Sequence, residues 1–250
     1  RPGTLPAHLQ GVWNTYNSAP WSCNYTQNIN VEMNYWPAFS TNLAETFEAY
    51  IEYNQAYMEA AQKWADLAVI WQGFKDKYGD DGGNGWVIGH AANPYRVTYD
   101  SSPGNLGFMT QVFWEYYAYT QDKEALKEIV YPVLYNAAQF ITKMVEQDAD
   151  GNYLVAKCDS PEQYVNGEWY FTSGTTYAQS FSYLNNYNLL LAAKELGIDL
   201  TDNNVLSKEE NKVLKTVLEQ IDKYDPINVG LSGHVKEFRE DKKQSGDKFS

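Results

Sequence analysis

Gln27-Asn28-Ile29-Asn30-Val31-Glu32-Met33-Asn34-Tyr35-Trp36-Pro37-Ala38 is where irregular chain gives way to helical sequence. Upstream of it, three prolines and many Asn, Ser and Gly residues keep the chain from any regular period. Asn28 and Asn30 stand two apart. On a helix such a pair diverges, whereas in extended chain it shares a face and can converge on one ligand or water. That arrangement requires a short helix that begins after both. The bland alternative makes Asn30 the cap of that helix and leaves Asn28 to satisfy loop backbone, since Asn is a strong N-cap. Trp36 has the same two readings, as core or as a sugar platform.

Working outward, apolar residues recur at helical spacing from about Leu43 to Val69. Phe47, Tyr50, Ile51, Tyr57, Met58, Ala61 and Leu67 form the side to be buried, and Thr41 or Asn42 with Glu45 forms a capping box. A loop rich in Gly, Pro, Asp and Asn runs from Gly73 to Gly107, longer than ordinary connections and therefore a site candidate. Leu106–Thr120 and Lys123–Glu146 read as an antiparallel helix pair with Pro132 offsetting the second member. A second aromatic loop, Asp148–Ser173, precedes a helix from Thr175 to Leu196 that stops at Gly197. Ser207–Lys223 is the last helix, with Ser207 as N-cap and Glu210 at its third position. About six helices in loosely paired order, separated by long loops and without an internal domain boundary over residues 1–250, fit a helical toroid better than a four-helix bundle with short connections.

Composition narrows the function. Nineteen basic and 32 acidic side chains give a formal net charge of −13, which disfavours phosphate-backbone contacts and excludes nucleic acid as the expected partner. No stretch of 18 apolar residues is present, so no membrane span is expected, and the first residues lack the apolar run of a signal peptide. From Pro2 to Ala44 the only Asp, Glu, Lys or Arg is Glu32, among seven Asn and Trp13, Trp21, Trp36, Tyr16, Tyr25 and Tyr35. A polar, almost uncharged segment of this kind suits burial near a neutral, hydroxyl-rich ligand.

Cys23 and Cys158 form no CxxC or zinc pattern, and one long-range disulfide stays open. His8, His90 and His234 lack metal-ligand spacing, and His90 is the best placed because it sits in the long loop. Gly82-Gly83-Asn84-Gly85 lacks both the phosphate-loop lysine and dinucleotide-fold spacing, so it reads as a flexible turn. In Cys158-Asp159-Ser160-Pro161-Glu162-Gln163-Tyr164, Pro161 stiffens the turn before Glu162. Tyr164, Trp169 and Tyr170 stand ready to strip water from that carboxyl, as a proton donor near neutral pH requires. The alternative is a solvated turn glutamate. Asp159 and Asp100 are weaker versions of the same argument.

Leu5-Pro6-Ala7-His8-Leu9-Gln10-Gly11-Val12-Trp13-Asn14, followed by the Asn28–Ala38 run, resembles the start of the catalytic domain of glycoside hydrolase family 95, the inverting 1,2-α-L-fucosidases. Gly85-Trp86-Val87, the Tyr119-Thr120-Gln121-Asp122-Lys123 junction, Ser160-Pro161-Glu162 and Ser173-Gly174-Thr175-Thr176 follow in the family's order, so the resemblance covers nearly the whole chain. It implies an all-α (α/α)6 barrel with its site at the loop-rich face. Six helices are half of that barrel, so residues 1–250 are expected to be part of a larger catalytic domain and inactive alone.

By position, the resemblance makes Glu162 the general acid and Asn28 with Asn30 the pair that holds and polarises the attacking water. Trp13, Trp36, His90 and Tyr164 are then the expected glycan contacts. It implies no cofactor and no metal, an oligosaccharide substrate, the remaining domains of the same enzyme as partners, and an extracellular or cell-surface location. Inversion ordinarily uses two carboxylates. An amide oxygen is a feeble base, so the asparagines need a helper carboxylate, which in the family is an aspartate in a motif beyond the end of this chain. Thr26 stands where part of the family has histidine, His90-Ala91 replaces a His-Asn pair, and Thr175-Thr176-Tyr177-Ala178 replaces Thr-Thr-Met-Asp. These departures spare the acid and water positions and open recognition of a related sugar such as α-L-galactose. A non-catalytic carbohydrate-binding homologue is the rival from another class.

Overall fold

The computed structural model describes residues 3–71, 83–93, 96–97, 102–226 and 228–240. Helices carry the fold. Two single turns, α1 (Asn30–Met33) and α2 (Trp36–Ser40), lead through a 3-10 turn at Ala44–Phe47 into the long α3 (Glu48–Trp71). Then come α4 (Pro103–Thr120), α5 (Tyr131–Ile141), α6 (Thr176–Glu195) and α7 (Lys212–Ile221). Three small antiparallel sheets stand where the long loops were expected, so the chain is mainly rather than purely helical. Among the described residues no helix is long and apolar enough to cross a membrane.

Helix boundaries follow their capping chemistry. Pro103 opens α4 at a position where a missing N–H costs nothing, and Ser102 accepts from the Asn105 N–H, so this helix starts three residues before the predicted Leu106. Gln121, at φ 56°, ends it by turning its N–H to the Tyr117 carbonyl. Asp122 then caps the next turn by accepting from the Glu124 and Ala125 N–H groups. A π turn, Leu126–Val130, leads into α5, and Pro132 falls in the first turn of that helix.

Other expectations need correction. Ser207 is no N-cap: it is the C-cap of a short turn, Asn203–Leu206, where its hydroxyl donates to the Asn204 carbonyl, and α7 begins only at Lys212. Thr41 bonds back to the Pro37 carbonyl, leaving no side-chain cap at the Ala44 turn. Phe47 of the 3-10 turn and Tyr50, Ile51 and Ala61 of α3 are buried as expected, but Leu67 is exposed and Ala65, Ala68 and Val69 turn inward instead.

The core joins Phe47 and Tyr50 to Leu106, Met109 and Phe113 of α4 and to Leu134, Phe140 and Ile141 of α5. Trp86 is threaded between helices, its indole N–H on the Val133 carbonyl at 3.2 Å and the next residue's N–H on the Ala61 carbonyl. The preceding Gly-rich stretch is no free turn. The Gly83 carbonyl accepts from Gln139 and Lys143, and a Cβ on Gly85 would lie 2.0 Å from the Asn136 carbonyl oxygen.

The closest helix contact is between α4 and α6. A Cβ on Gly107 would stand 2.4 Å from the Phe181 carbonyl oxygen, and one on Gly104 would stand 2.7 Å from the Tyr177 ring. Further along, Asn188 donates to Gln111 and the Tyr117 hydroxyl donates to Glu195, so both chains advance together and the helices are parallel. Gly107→Ala must therefore push the two backbones apart. We expect it to destabilise the fold by about 2–3 kcal/mol, measured by denaturant unfolding; a loss within about 0.5 kcal/mol would show that α6 can shift freely.

Candidate functional site

Three strands carry the first part of the site: β1 (Tyr25–Thr26), β2 (Ala91–Asn93) and β3 (Arg96–Val97), antiparallel in that order. Tyr25 pairs with Ala92 and Thr26 with Ala91, and the register continues as the Gln27 N–H reaches the His90 carbonyl at 2.7 Å. The chain then turns. Asn28 lies in the turn and Asn30 is the first residue of α1, one position earlier than the predicted start. Asn30 is not the cap, because Ile29 occupies that position and no side chain bonds there. Both asparagines are half-buried, and neither amide is bonded to another described residue.

Glu32, on α1, is 0% exposed, and neither carboxyl oxygen has a partner among the described residues. Burial pushes its carboxyl up to about 8. Tyr50 of α3 lies in its field, and the Tyr50 hydroxyl also reaches the Gln27 side-chain carbonyl at 3.5 Å. Gln27 in turn contacts Asn54 at 3.5 Å, so a buried neutral polar cluster backs the asparagine turn.

The second part is a hairpin of β6 (Cys158–Val165) and β7 (Glu168–Thr172); a smaller pair, β4 (Val145–Gln147) with β5 (Tyr153–Val155), precedes it. Register runs Cys158 to Thr172 and Asp159 to Phe171, then breaks and resumes at Tyr164 opposite Trp169. Ser160, Pro161, Glu162 and Gln163 thus bulge opposite Tyr170 alone, and a bulge re-aims the side chains it carries. Glu162 is exposed. The expected aromatic wrap around it is absent: Tyr164 stacks with Trp169 at 4.4 Å as a cross-strand pair, and Tyr170 packs on Phe238 at 4.7 Å. Ser160 is buried with its hydroxyl on Glu237.

His90 and Asp159 bring the two parts together. Burial raises the Asp159 carboxyl above its ordinary range, and the nearby His90 charge opposes that rise. The Asp159 carbonyl accepts from the Thr175 hydroxyl, which also caps α6 through the Ala178 N–H. The N-terminal end of α6 is thereby tied to the strand bearing Glu162.

Trp36, 42% exposed, stands edge-on to Phe108 at 6.1 Å, and Phe108 packs on Phe181 at 4.4 Å and Tyr177 at 6.2 Å. The Tyr177 hydroxyl donates to Asn105 at 2.8 Å. These rings make a half-exposed shelf at the starts of α4 and α6. Trp13 does not join it: it is 84% exposed in the irregular N-terminal stretch. Asp100 and residues 72–82 of the long loop lie outside the described residues. Both cysteines are free thiols, which settles the disulfide question for this structure. Among the described residues no three His, Cys, Asp or Glu side chains group as metal ligands.

Sequence reasoning missed the burial of Glu32, the contact of Glu237 with Ser160 and the place of Tyr177 in the aromatic shelf. The one available signal was the isolation of Glu32 in an otherwise uncharged segment.

Residues 1–249 match the model of the glycosyl hydrolase family 95 catalytic domain, and the chain belongs to that family. It is 26% identical over 249 residues to "Alpha-L-fucosidase 2" of Arabidopsis thaliana, which covers 96% of this chain and 27% of the relative. It is 33% identical over 173 residues to "Probable alpha-fucosidase A" of Aspergillus niger, 65% of this chain and 20% of that protein. A 99-residue match to the Aspergillus oryzae protein of the same name is 38% identical, covering 39% and 12%. The chain thus spans 27% or less of the length of these curated relatives.

The charge interaction of His90 with Asp159 has a measurable sign. Because His90 holds the Asp159 carboxyl down against its burial, His90→Ala is expected to move the Asp159 titration further upward, read from its side-chain carboxyl carbon by NMR. An unmoved titration would separate the two parts of the site.

Proposed function

We propose that this chain is part of the (α/α)6 catalytic barrel of an exported glycosidase that releases terminal 1,2-linked α-L-fucosyl residues with inversion. Membership of the family carries the reading, supported by half-buried Asn28 and Asn30 amides that no described residue engages. In this reaction the exposed Glu162 gives its proton to the glycosidic oxygen as the bond from that oxygen to the sugar's anomeric carbon breaks. Asn28 and Asn30 accept hydrogen bonds from a water on the opposite face and align its oxygen on the same carbon. The new carbon–oxygen bond forms with inversion, and the water's proton passes to a helper carboxylate contributed by a later part of the domain.

The shelf of Trp36, Phe108, Tyr177 and Phe181 offers apolar faces to a deoxysugar, whose methyl group and C–H edges pack on aromatic rings. His90 and Tyr164 supply polar contacts at its rim. Trp13 stays a proposed glycan contact that would need the sugar to reach the N-terminal stretch. The further domains of the same enzyme and an extracellular or cell-surface location belong to the same proposal.

Thr26, half-buried on β1 and paired to Ala91 beside His90, favours a second specificity. A short hydroxyl there leaves room for a sugar bearing a hydroxyl where fucose has its methyl hydrogen, namely α-L-galactose.

In the intact enzyme Glu162→Gln is expected to lower kcat on 1,2-fucosylated galactosides by about 10²–10⁴-fold while glycan binding persists. Asn28→Ala and Asn30→Ala should each cost about 10²-fold or more. Product anomers read by NMR report inversion, and a matched α-L-galactoside tests the second specificity. Unchanged turnover in Glu162→Gln removes the acid assignment. Saturable binding with no sugar released by the native enzyme makes the protein a carbohydrate-binding homologue.

A further inference from the structure

We propose that Glu32 is a positioning residue for the asparagine turn, acting as an uncharged carboxylic acid that braces Gln27–Asn30 from behind through α1 and Tyr50. The role rests on the glycosidase reading for its consequence in turnover, but not for its structural content. Three observations carry it. Glu32 stands two residues after Asn30 in the single-turn helix α1, so any displacement of its side chain moves the asparagines. Its head group is fully buried, and neither oxygen has a partner among the described residues. The polar groups around it are neutral: Tyr50, whose hydroxyl leads to Gln27, and beyond them Asn54.

Among the described residues no ion pair or hydrogen bond brings a cation to the Glu32 carboxyl. Among the described residues the titratable group in its field is Tyr50 of α3, itself raised by burial and by Glu32, with Tyr53 and Tyr35 adding to the same effect. A buried unpaired carboxylate is far costlier than a buried acid, so the side chain keeps its proton. Leu or Met would fill the same volume without any polar desolvation. What the acid adds over Leu or Met is an O–H donor and an acceptor, neither of which is bonded to a described residue.

The sign of the pH dependence follows. The folded carboxyl titrates at about 8 against an ordinary 4.5, so the folded state holds a proton that the unfolded state releases. Stability therefore falls as pH rises from about 4.5 to about 8 and gains nothing from this group above that. As pH passes the upper value the charge appears in an apolar enclosure, and the turn is expected to loosen.

The experiment compares the intact enzyme with its Glu32→Gln and Glu32→Leu variants. Backbone hydrogen exchange at Gln27, whose N–H is bonded to the His90 carbonyl, is followed from pH 6 to 9, corrected for intrinsic base catalysis. In the native protein protection should fall by about tenfold as pH passes 8, whereas Glu32→Gln, neutral throughout, should keep it. Glu32→Leu should be unprotected at this amide at every pH. In turnover, Glu32→Gln should retain kcat within about threefold at neutral pH and lose the native decline above pH 8; Glu32→Leu should lose about tenfold in kcat with little change in KM. A folded Glu32→Gln as inactive as Glu32→Leu overturns the assignment, because the carboxylate itself would then be required. So does a Glu32→Leu protein that keeps both protection and kcat, or a native protection that does not change with pH. An absence of hydrolysis in all three proteins, with the exchange pattern as expected, overturns the glycosidase reading and leaves the brace standing.

Discussion

The close approach of α4 and α6 is the constraint on which the rest of the structure depends. Gly104 and Gly107 let one helix sit against the backbone and the ring of the other, nearer than any side chain would permit. Because the two helices are parallel, their N-terminal ends share one end of the layer. Whatever chain enters them must arrive there. Residues 83–93 precede α4 and the β6–β7 hairpin precedes α6, so helix packing brings both segments toward the same end, where the Gln27 N–H holds the His90 carbonyl and Glu237 holds the Ser160 hydroxyl.

Polar side chains then fix the hairpin in place. The Gln179 side chain of α6 accepts from the Val155 N–H and donates to the carbonyls of Tyr153 and Asp225, stitching β5 and the chain after α7 to one helix. Arg239 binds Asp148 and Asp225, and the neighbouring residues give Thr176 a carbonyl and Ser160 a carboxylate. Each of these groups is half-buried or buried, where a satisfied hydrogen bond is worth more than on the surface and an unsatisfied one costs more. The hairpin carrying Glu162 is consequently framed on both sides although its tip is in solvent.

Legibility followed the range of the interaction. Helices α3, α4 and α6 could be read because apolar spacing and capping act within a few residues, with Asp122, Thr175 and Gly197 marking boundaries by local chemistry, whereas the helix expected over Lys123–Glu146 is broken by the Leu126–Val130 π turn and ends at Ile141, before β4. The two-residue spacing of the asparagines asked for a helix beginning after both, and α1 instead begins at Asn30. The β6–β7 hairpin could not be read. Its four-residue bulge erases the alternation that marks a strand, and its aromatics looked like a wall for Glu162 when they pair across strands instead. Ser207 looked like a cap because its pattern fits one, yet the helix starts five residues later.

By itself the sequence determined the family, the helical spacing and some of the caps, among them Asp122 and Thr175, all properties of neighbouring residues or of their order. Only the tertiary structure decided which groups face each other: that the His90 charge acts on Asp159, that Trp36 joins Phe108, Tyr177 and Phe181, and that the lone acid of the N-terminal segment is shut away from water. The physical reason is that burial and charge environment are set by chain segments far apart in sequence. A glutamate in an uncharged stretch reads the same whether it meets solvent or Tyr50, and only packing against α3 makes it a buried acid.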